Sequence, residues 1–237
     1  MKKLRLAVLI SGRGSNLQAL IDACADPAYP AEIVRVVSNV PGAHGLERAR
    51  KANIPTEAID HRAHKSRESF DAALEETLTR ARPDLVCLAG FLRLFTDGFV
   101  ERWRDRLINI HPSLLPAFKG LHVHERAIEA GVRLSGCTVH YVRPAMDEGP
   151  IIVQAAVPIH PGDDAEALAA RVLAEEHRIY PLAIRLIAEG RVRVEGERAT
   201  VEDAKAPAGA LINPAPEERI GRPTKRRLAV SRRSRSR

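Results

Sequence analysis

The chain has 237 residues, of which 45% are hydrophobic and 28% charged, so it is long and apolar enough to bury a core without disulfide or metal support. Three widely spaced cysteines exclude a disulfide framework and fit a reducing cytoplasm, and no apolar run approaches the length of a membrane span. The net charge of +7 arises from nine Lys and Arg residues without an acid in 219–237, which leaves −2 for the remainder and excludes a basic nucleic-acid-binding domain there.

Strand-like and helix-like segments alternate through the first half of the chain. This alternation predicts an α/β fold built on an open, doubly wound, mostly parallel sheet. Apolar runs bounded by turn residues predict the strands, and apolar residues at helical spacing predict the helices between them. The predicted strands are 4–10, 32–38, 55–59, 84–89 and 107–110, and the predicted helices are 15–24, 45–52 and 68–81.

After residue 112 the pattern changes to longer, alternating strands, which predicts antiparallel additions to the sheet in the C-terminal half. We expect a helix, two strands, a long helix that Pro181 kinks or divides, and a terminal hairpin, over 120–130, 135–142, 151–158, 165–187 and 192–201. Residues 1–203 are therefore predicted to form one domain. Residues 204–237 are rich in Ala, Pro, Gly and Arg, which predicts a disordered basic tail.

A glycine-containing segment, Ser11-Gly12-Arg13-Gly14-Ser15-Asn16, joins the first predicted strand to the first helix. Glycines allow a tight turn there, and the free N–H groups at the start of a helix attract a phosphate. The segment lacks the third glycine of a dinucleotide fingerprint and the Gly-Lys-Ser/Thr of a Walker A loop, so a single phosphate on a small substrate fits it better than a pyrophosphate. A plain tight turn followed by a serine N-cap is the alternative.

Asn109 and His111 stand two residues apart at the end of a predicted strand, so their side chains should project to the same face. An amide beside an imidazole can stabilise an oxyanion and handle a proton, although a histidine at a strand end often has only a structural role. Asp147 lies in a loop between two strands, where it is either an acidic turn residue or, if close to His111, a catalytic carboxylate. His122 and His124 have no completing set of ligands, so we predict no metal site.

Several motifs together resemble the phosphoribosylglycinamide formyltransferase family over about residues 4–202. They are the glycine segment within 10–18, Leu88-Ala89-Gly90-Phe91-Leu92-Arg93, Asn109-Ile110-His111-Pro112-Ser113-Leu114-Leu115-Pro116, and the segments 45–49, 120–122, 147–152 and 176–181. The resemblance implies one-carbon transfer in de novo purine biosynthesis. The formyl group of 10-formyltetrahydrofolate would pass to the amine of 5-phosphoribosylglycinamide by direct attack, through a tetrahedral intermediate, without a metal or a covalent enzyme intermediate.

The resemblance also implies roles for individual residues. Asn109, His111 and Asp147 would form a catalytic trio in which Asp147 pairs with protonated His111. The phosphate of the ribonucleotide would be held by Gly14, Ser15 and Asn16, and its ribose by Glu176. The folate cosubstrate would contact Arg67, Leu92, Arg93, Leu94, Phe95, Asn109, Arg143 and Asp147. The expected partners are these small molecules alone, with the enzyme a cytoplasmic monomer or weak homodimer that binds no membrane.

Three alternatives remain open at this point. Methionyl-tRNA formyltransferase carries an added C-terminal β-barrel, for which we expect the polar segment after residue 201 to be too short. Formyltetrahydrofolate hydrolase carries an added N-terminal regulatory domain, whereas the first strand here is expected from residue 4. A nucleic-acid-binding protein could use the basic tail, but that tail has no aromatic residue for base stacking, so nucleic acid is not an expected partner.

Overall fold

Seven strands form one central sheet in the computed structural model, which describes residues 2–215. In chain order they are β1 (Leu4–Ile10), β2 (Ala31–Ser38), β3 (Thr56–Ala58), β4 (Leu85–Leu88), β5 (Leu107–His111), β6 (Leu134–Tyr141) and β7 (Ile151–Pro158). Their order across the sheet is β3-β2-β1-β4-β5-β6-β7. The first five strands run parallel, and β6 and β7 are antiparallel additions, so the predicted fold class is confirmed.

Helices cover both faces of this sheet. They are α1 (Ser15–Ala25), α2 (His44–Lys51), α3 (Arg67–Ala81), α4 (Asp97–Arg102), α5 (Val123–Glu129) and α6 (Ala165–Ala188). The first, second, fifth and sixth helices share one apolar core with the sheet, and α3 and α4 share the other. Sequence periodicity missed α4 because six residues are too few to define a helical period. None of the described helices is long and apolar enough to cross a membrane.

Strand β1 shows why the sequences of the parallel strands are continuous apolar runs. Leu6, Val8 and Ile10 belong to one core, whereas Ala7 and Leu9 belong to the other, and all five are fully buried. Successive side chains of a strand point to opposite faces, so a strand covered by helices on both sides needs apolar residues at every position.

Pro181 does not divide the last helix, which runs unbroken from Ala165 to Ala188. Proline removes one helical N–H donor, but the helix is held on the sheet on both sides of it by the buried Tyr180 and Ala183. The Tyr29 hydroxyl donates a hydrogen bond to the Pro181 carbonyl at 2.8 Å. Packing therefore outweighs the local preference for a break.

The crossover of the chain creates a crevice at the carboxyl edge of the parallel strands. From β1 the chain builds β2 and β3 to one side, and it then crosses to form β4 on the other side. The connections that follow β1 and β4 consequently lead to helices on opposite faces of the sheet, α1 on one face and α4 on the other. Crevices at such a switch point are the usual ligand sites of open α/β sheets.

The C-terminal part forms a separate two-stranded sheet of β8 (Val192–Glu195) and β9 (Arg198–Val201), as the predicted hairpin requires. Residues 204–215 contain no helix or strand. The Asn213 amide nevertheless donates to the carbonyls of Arg133 and Ile159 at 2.6 and 2.8 Å. The domain boundary at 203 stays a prediction, and the predicted disorder of 216–237 concerns residues outside the described range.

Two glycines bring the loop after β1 into backbone contact with the start of α2. Gly45 N donates to the Gly12 carbonyl at 3.0 Å. Gly14 has φ +71°, and a Cβ added to it would lie 2.8 Å from Gly45 Cα. A side chain at residue 14 would therefore be strained by both its backbone conformation and a backbone neighbour.

We predict that Gly14→Ala lowers the free energy of unfolding by about 1–3 kcal/mol, because the two backbones must separate. Gly12→Ala is the matched control in the same loop, since a Cβ at Gly12 would meet nothing within 4 Å, and it should change stability by less than about 0.5 kcal/mol. Urea unfolding of both variants measures the difference. Equal stabilities would contradict the contact.

Candidate active site

Asn109 and His111 lie at the carboxyl end of β5, in the middle of the sheet. Residues 109 and 111 share one face of the strand, as predicted from their spacing. Asn109 pairs with Leu88 of β4 on one side and with His140 of β6 on the other. Because β5 borders both the parallel and the antiparallel part of the sheet, loops from both parts can reach this strand end.

The His111 imidazole is buried between two oxygen acceptors. Its Nδ1 lies 3.5 Å from Asp147 Oδ1, and its Nε2 lies 3.1 Å from the carbonyl of Phe118. The side chains of His111 and Asp147 are only 7% and 14% exposed. The Nε2–H of the ring donates to the Phe118 carbonyl, and Nδ1 faces the Asp147 carboxylate at ion-pair distance. The structure thus brings together His111 and Asp147, a pairing that sequence spacing left open.

Asp147 uses its two carboxylate oxygens in different directions. Oδ1 faces His111, whereas Oδ2 accepts a 2.7 Å hydrogen bond from the backbone N–H of Gly120. Asp147 has φ +51°, a left-handed conformation that aspartate tolerates better than most residues. The neighbouring Glu148 pairs with Lys119 at 2.5 Å. The loop of Asp147 is therefore tied to the segment that follows β5.

His140 is a site residue that the sequence reasoning missed. It is buried, and burial lowers the pKa of its imidazole, which favours the neutral ring. With the proton on Nδ1, the ring donates to the Tyr141 carbonyl at 3.0 Å, and Nε2 can accept from Asn109 Nδ2 at 3.4 Å. This contact orients the Asn109 amide. The alternating pattern of β6 predicted a strand that includes His140. Only the strand register places residues 109 and 140 opposite each other.

The predicted phosphate loop leads directly into the start of α1. Gly14 is the residue before the helix, and no side chain that the structure describes caps the helix end. The alternative reading, a turn closed by a serine N-cap, is therefore not what the chain adopts. The first N–H groups of a helix have no helical acceptor and carry a partial positive charge, so they remain available to an anion.

Asn16 and Glu176 meet although 160 residues separate them. Asn16 Nδ2 donates to Glu176 Oε2 at 2.7 Å, and the buried Asn16 Oδ1 has no hydrogen-bond partner among residues 2–215. Burial raises the pKa of the Glu176 carboxyl to about 7, although the bond from Asn16 opposes this rise. An unpaired acceptor beside a carboxyl group suits a ligand that brings hydroxyl or amine donors.

Ser11 links the phosphate loop to the loop that follows β4. The sequence analysis did not predict this contact. Its backbone N–H donates to the Gly90 carbonyl at 3.0 Å, and its Oγ accepts from the Leu92 N–H at 2.8 Å. The Ser11 hydroxyl itself donates to Asn39 Oδ1 at 2.6 Å. The two loops at the switch point consequently form one connected rim of the crevice.

Arg48 was not among the predicted site residues either, although it lies beside the phosphate loop. Its Nε donates to the Arg13 carbonyl at 3.0 Å, and its Nη1 to Gln18 Oε1 at 3.2 Å. The 45–49 motif could have indicated Arg48, because it places this arginine one helical turn after Gly45, which contacts Gly14.

The loop after β4 holds four of the eight predicted folate contacts, residues 92–95. Leu92 and Leu94 are 74% and 58% exposed, whereas Phe91 and Phe95 stack on each other with ring centroids 5.3 Å apart. The Arg93 guanidinium lies 4.7 Å from the ring centroid of Phe70. Stacked aromatic rings therefore anchor this loop, and the leucines between them are exposed and can contact a ligand.

Two of the predicted folate contacts are arranged differently. Arg67 is exposed at the first residue of α3 and makes no hydrogen bond or ion pair with the other predicted site residues in the described range. The Arg143 side chain is only 7% exposed, because its guanidinium bonds to Asp105 and Glu197. That guanidinium is held by contacts within the protein, and the role of Arg143 in folate binding stays a prediction.

Comparison with known proteins places these features in a family. The formyl transferase family model matches residues 4–184. The trifunctional purine biosynthetic protein adenosine-3 of Bos taurus is 50% identical over 200 residues, which are 84% of this chain but 20% of that protein. This chain therefore spans about a fifth of the length of such relatives.

Shorter relatives match over nearly their whole length. Phosphoribosylglycinamide formyltransferase of Escherichia coli K12 is 44% identical over 204 residues, which cover 86% of this chain and 96% of the relative. The crystal structure of glycinamide ribonucleotide transformylase 1 from Symbiobacterium toebii is 52% identical, with a TM-score of 0.83, and the match covers 85% of this chain and 95% of that one. The chain thus belongs to the formyl transferase family, and the resemblance to phosphoribosylglycinamide formyltransferases that its motifs carry is confirmed.

Proposed function

We propose that this chain transfers the formyl group of 10-formyltetrahydrofolate to the amine of 5-phosphoribosylglycinamide, a step of purine biosynthesis. The observation that carries the proposal is the buried His111. It lies between Asp147 and the Phe118 carbonyl, on the same strand end as Asn109. Such a set of donors suits an acyl transfer in which charge develops on a carbonyl oxygen. The named relatives and the uncapped helix at the same sheet edge support the choice of substrates.

The phosphoribosyl substrate fits the side of the crevice that the loop after β1 forms. Its phosphate would accept from the free N–H groups of Gly14, Ser15 and Asn16 at the start of α1. The substrate's ribose hydroxyls would donate to the unpaired Asn16 Oδ1 and to the Glu176 carboxylate. Binding would thereby satisfy a buried acceptor that has no partner in the described part of the chain.

The folate side of the crevice fits a large, partly apolar molecule. Leu92, Leu94 and Met146 are large apolar side chains that are each more than half exposed. Exposed apolar groups of this size are typical of surfaces that a ligand covers. We propose that they contact the folate together with Arg67, Arg93, Phe95 and the backbone of the loop 143–147. When bound, 10-formyltetrahydrofolate supplies the formyl group.

Asn109, His111 and Asp147 each have a different role in the reaction. The negative charge that develops on the formyl oxygen is stabilised by the Asn109 amide and by the His111 imidazolium, both preorganised before the substrates bind. Asp147 holds the imidazolium in place and can take up the proton released by the attacking amine through a water molecule. As the new bond from the substrate's amine forms and the bond to the folate nitrogen breaks, that proton passes to the departing nitrogen. His140 acts earlier, by orienting Asn109.

The proposal includes the setting in which the chain works. We propose that it acts on two small molecules in the cytoplasm, as a monomer or weak homodimer and without a nucleic-acid partner. The free cysteines 24, 87 and 137 are compatible with a reducing compartment.

The direct test is an assay with both substrates. We predict that the purified chain releases tetrahydrofolate from 10-formyltetrahydrofolate only when 5-phosphoribosylglycinamide is present. His111→Ala should lower kcat by about 10²–10³, because an oxyanion donor and the partner of Asp147 are lost together. His160→Ala, at an exposed position outside the crevice, is the control and should retain activity. Absence of product from the wild-type chain, or equal rates for both variants, would contradict the proposal.

A second prediction concerns the cost of burying Glu176. A carboxyl whose pKa is about 7 in the folded chain and near 4.5 in the unfolded chain binds its proton more tightly when folded, so its contribution to stability falls as the pH rises from about 4.5 to 7. Glu176→Gln should therefore raise the free energy of unfolding by up to about 3 kcal/mol at pH 8, and by much less at pH 5.

The same substitution should raise the Michaelis constant for 5-phosphoribosylglycinamide, since the carboxylate that would accept from the ribose is lost. Glu175→Gln is the control, because Glu175 pairs with Arg178 at the surface, and it should show no gain that depends on pH. Urea unfolding at the two pH values measures the effect. A gain of equal size at pH 5 and pH 8 would mean that the burial of charge at Glu176 is not the cause.

A further inference from the structure

We infer that Glu197, at the turn of the C-terminal hairpin, is a positioning residue for formyl transfer, because it anchors Arg143 and through it the loop that carries Asp147. This inference rests on the proposed function. It gives the β8–β9 hairpin, which lies beyond the family match at residues 4–184, a part in the reaction.

The loop that carries Asp147 has to reach from one end of β5 to the other. Because β6 is antiparallel to β5, this loop starts beside the amino end of β5, where Val142 N donates to the Leu107 carbonyl at 2.9 Å. His111 is at the opposite end of that strand, about 13 Å away at the usual rise of a β-strand. Residues 142–150 contain no helix or strand that would hold such a path. Within the loop Glu148 N donates to the Ala145 carbonyl at 3.3 Å, and side-chain contacts add to what holds the path.

The Arg143 guanidinium is the anchor at the start of the loop. Its Nε donates to Glu197 Oε2 at 2.7 Å, its Nη2 to Asp105 Oδ1 at 2.8 Å, and its Nη1 to the Val142 carbonyl at 3.2 Å. A planar guanidinium with acceptors on three nitrogens has a defined orientation. Ion pairs at the surface are commonly weak, but this arginine is only 7% exposed, so water screens it less.

Glu197 is itself held from its other side. Its Oε1 accepts from Arg104 Nη2 at 2.6 Å, and Arg104 also pairs with Glu101 of α4 at 3.1 Å. The Arg143 guanidinium, and after it Arg104, lowers the pKa of the Glu197 carboxyl, which keeps the carboxylate charged. The carboxylate thus lies between two arginines and joins the hairpin to both α4 and the loop.

The anchor reaches Asp147 through packing as well as along the chain. A Cβ added to Gly149 would lie 3.0 Å from Arg143 Cγ and 2.1 Å from the Tyr141 carbonyl oxygen. The stem of Arg143 therefore packs against Gly149, two residues after Asp147. A shift of Arg143 would move the loop on both sides of Asp147, and the 3.5 Å contact with His111 would change.

The test compares Glu197, at the hairpin turn, with Glu202, the residue after β9, in the full-length protein. Glu197→Gln removes the charge that faces Arg143 and keeps the size of the side chain. Glu202→Gln is the matched control, since Glu202 is equally exposed, at 58%, and pairs only with the surface Arg193 among the described residues. We expect Glu197→Gln to lower kcat about tenfold while the Michaelis constant for 5-phosphoribosylglycinamide changes less than about twofold, because misplacing a catalytic group affects the chemical step.

Two further readouts separate positioning from general loss of structure. Backbone amides of residues 143–149 should exchange with deuterium faster in Glu197→Gln than in Glu202→Gln, and Glu197→Asp should restore part of kcat. If Glu197→Gln does not fold, Asp105→Asn, which removes the other carboxylate from the same guanidinium, should give the same pattern.

Equal kcat and equal amide exchange in Glu197→Gln and Glu202→Gln would overturn the inference. So would a loss of kcat together with faster exchange throughout the chain, because that pattern indicates general destabilisation. If the wild-type chain transfers no formyl group, the proposed function fails. The exchange of residues 143–149 then still decides whether Glu197 holds the loop.

Discussion

The contact between Asp147 and His111 is the interaction on which the rest of the site depends. A carboxylate and an imidazole that are both largely buried require each other, because either one left charged and alone in the interior would be costly. Each is also held by the backbone, His111 at the Phe118 carbonyl and Asp147 at the Gly120 N–H. The segment after β5 therefore supplies the second partner of both residues, and it fixes the distance between them.

The sheet accounts for the position of this contact. Parallel strands bring the phosphate loop, the loop with Leu92 and Leu94, and the carboxyl end of β5 to one edge, and Ser11 joins the first two of these. The antiparallel β6 adds what a purely parallel sheet would not supply at this position. It places His140 against Asn109, and it starts the loop of Asp147. The combination of parallel and antiparallel strands is thus what surrounds one strand end with donors and acceptors from both directions.

Local sequence signals were sufficient for the fold class and for most of the elements, because buried parallel strands and amphipathic helices have clear periods. They also predicted that Asn109 and His111 share a face. They could not predict contacts that depend on strand register or on distant segments, such as His140 with Asn109 or Asn16 with Glu176. The motifs assigned Asp147 to the trio through family resemblance, whereas its closeness to His111 is a property of the folded loop.

A double-mutant cycle on His111 and Asp147 tests the central claim most directly. The turnover numbers of the wild-type chain, His111→Ala, Asp147→Asn and the double variant would be measured at saturating concentrations of both substrates. Groups that act as one unit lose their function together, so the double variant should be within about threefold of the slower single variant. If the two losses multiply, Asp147 and His111 contribute independently, and the contact between them is not the basis of the site.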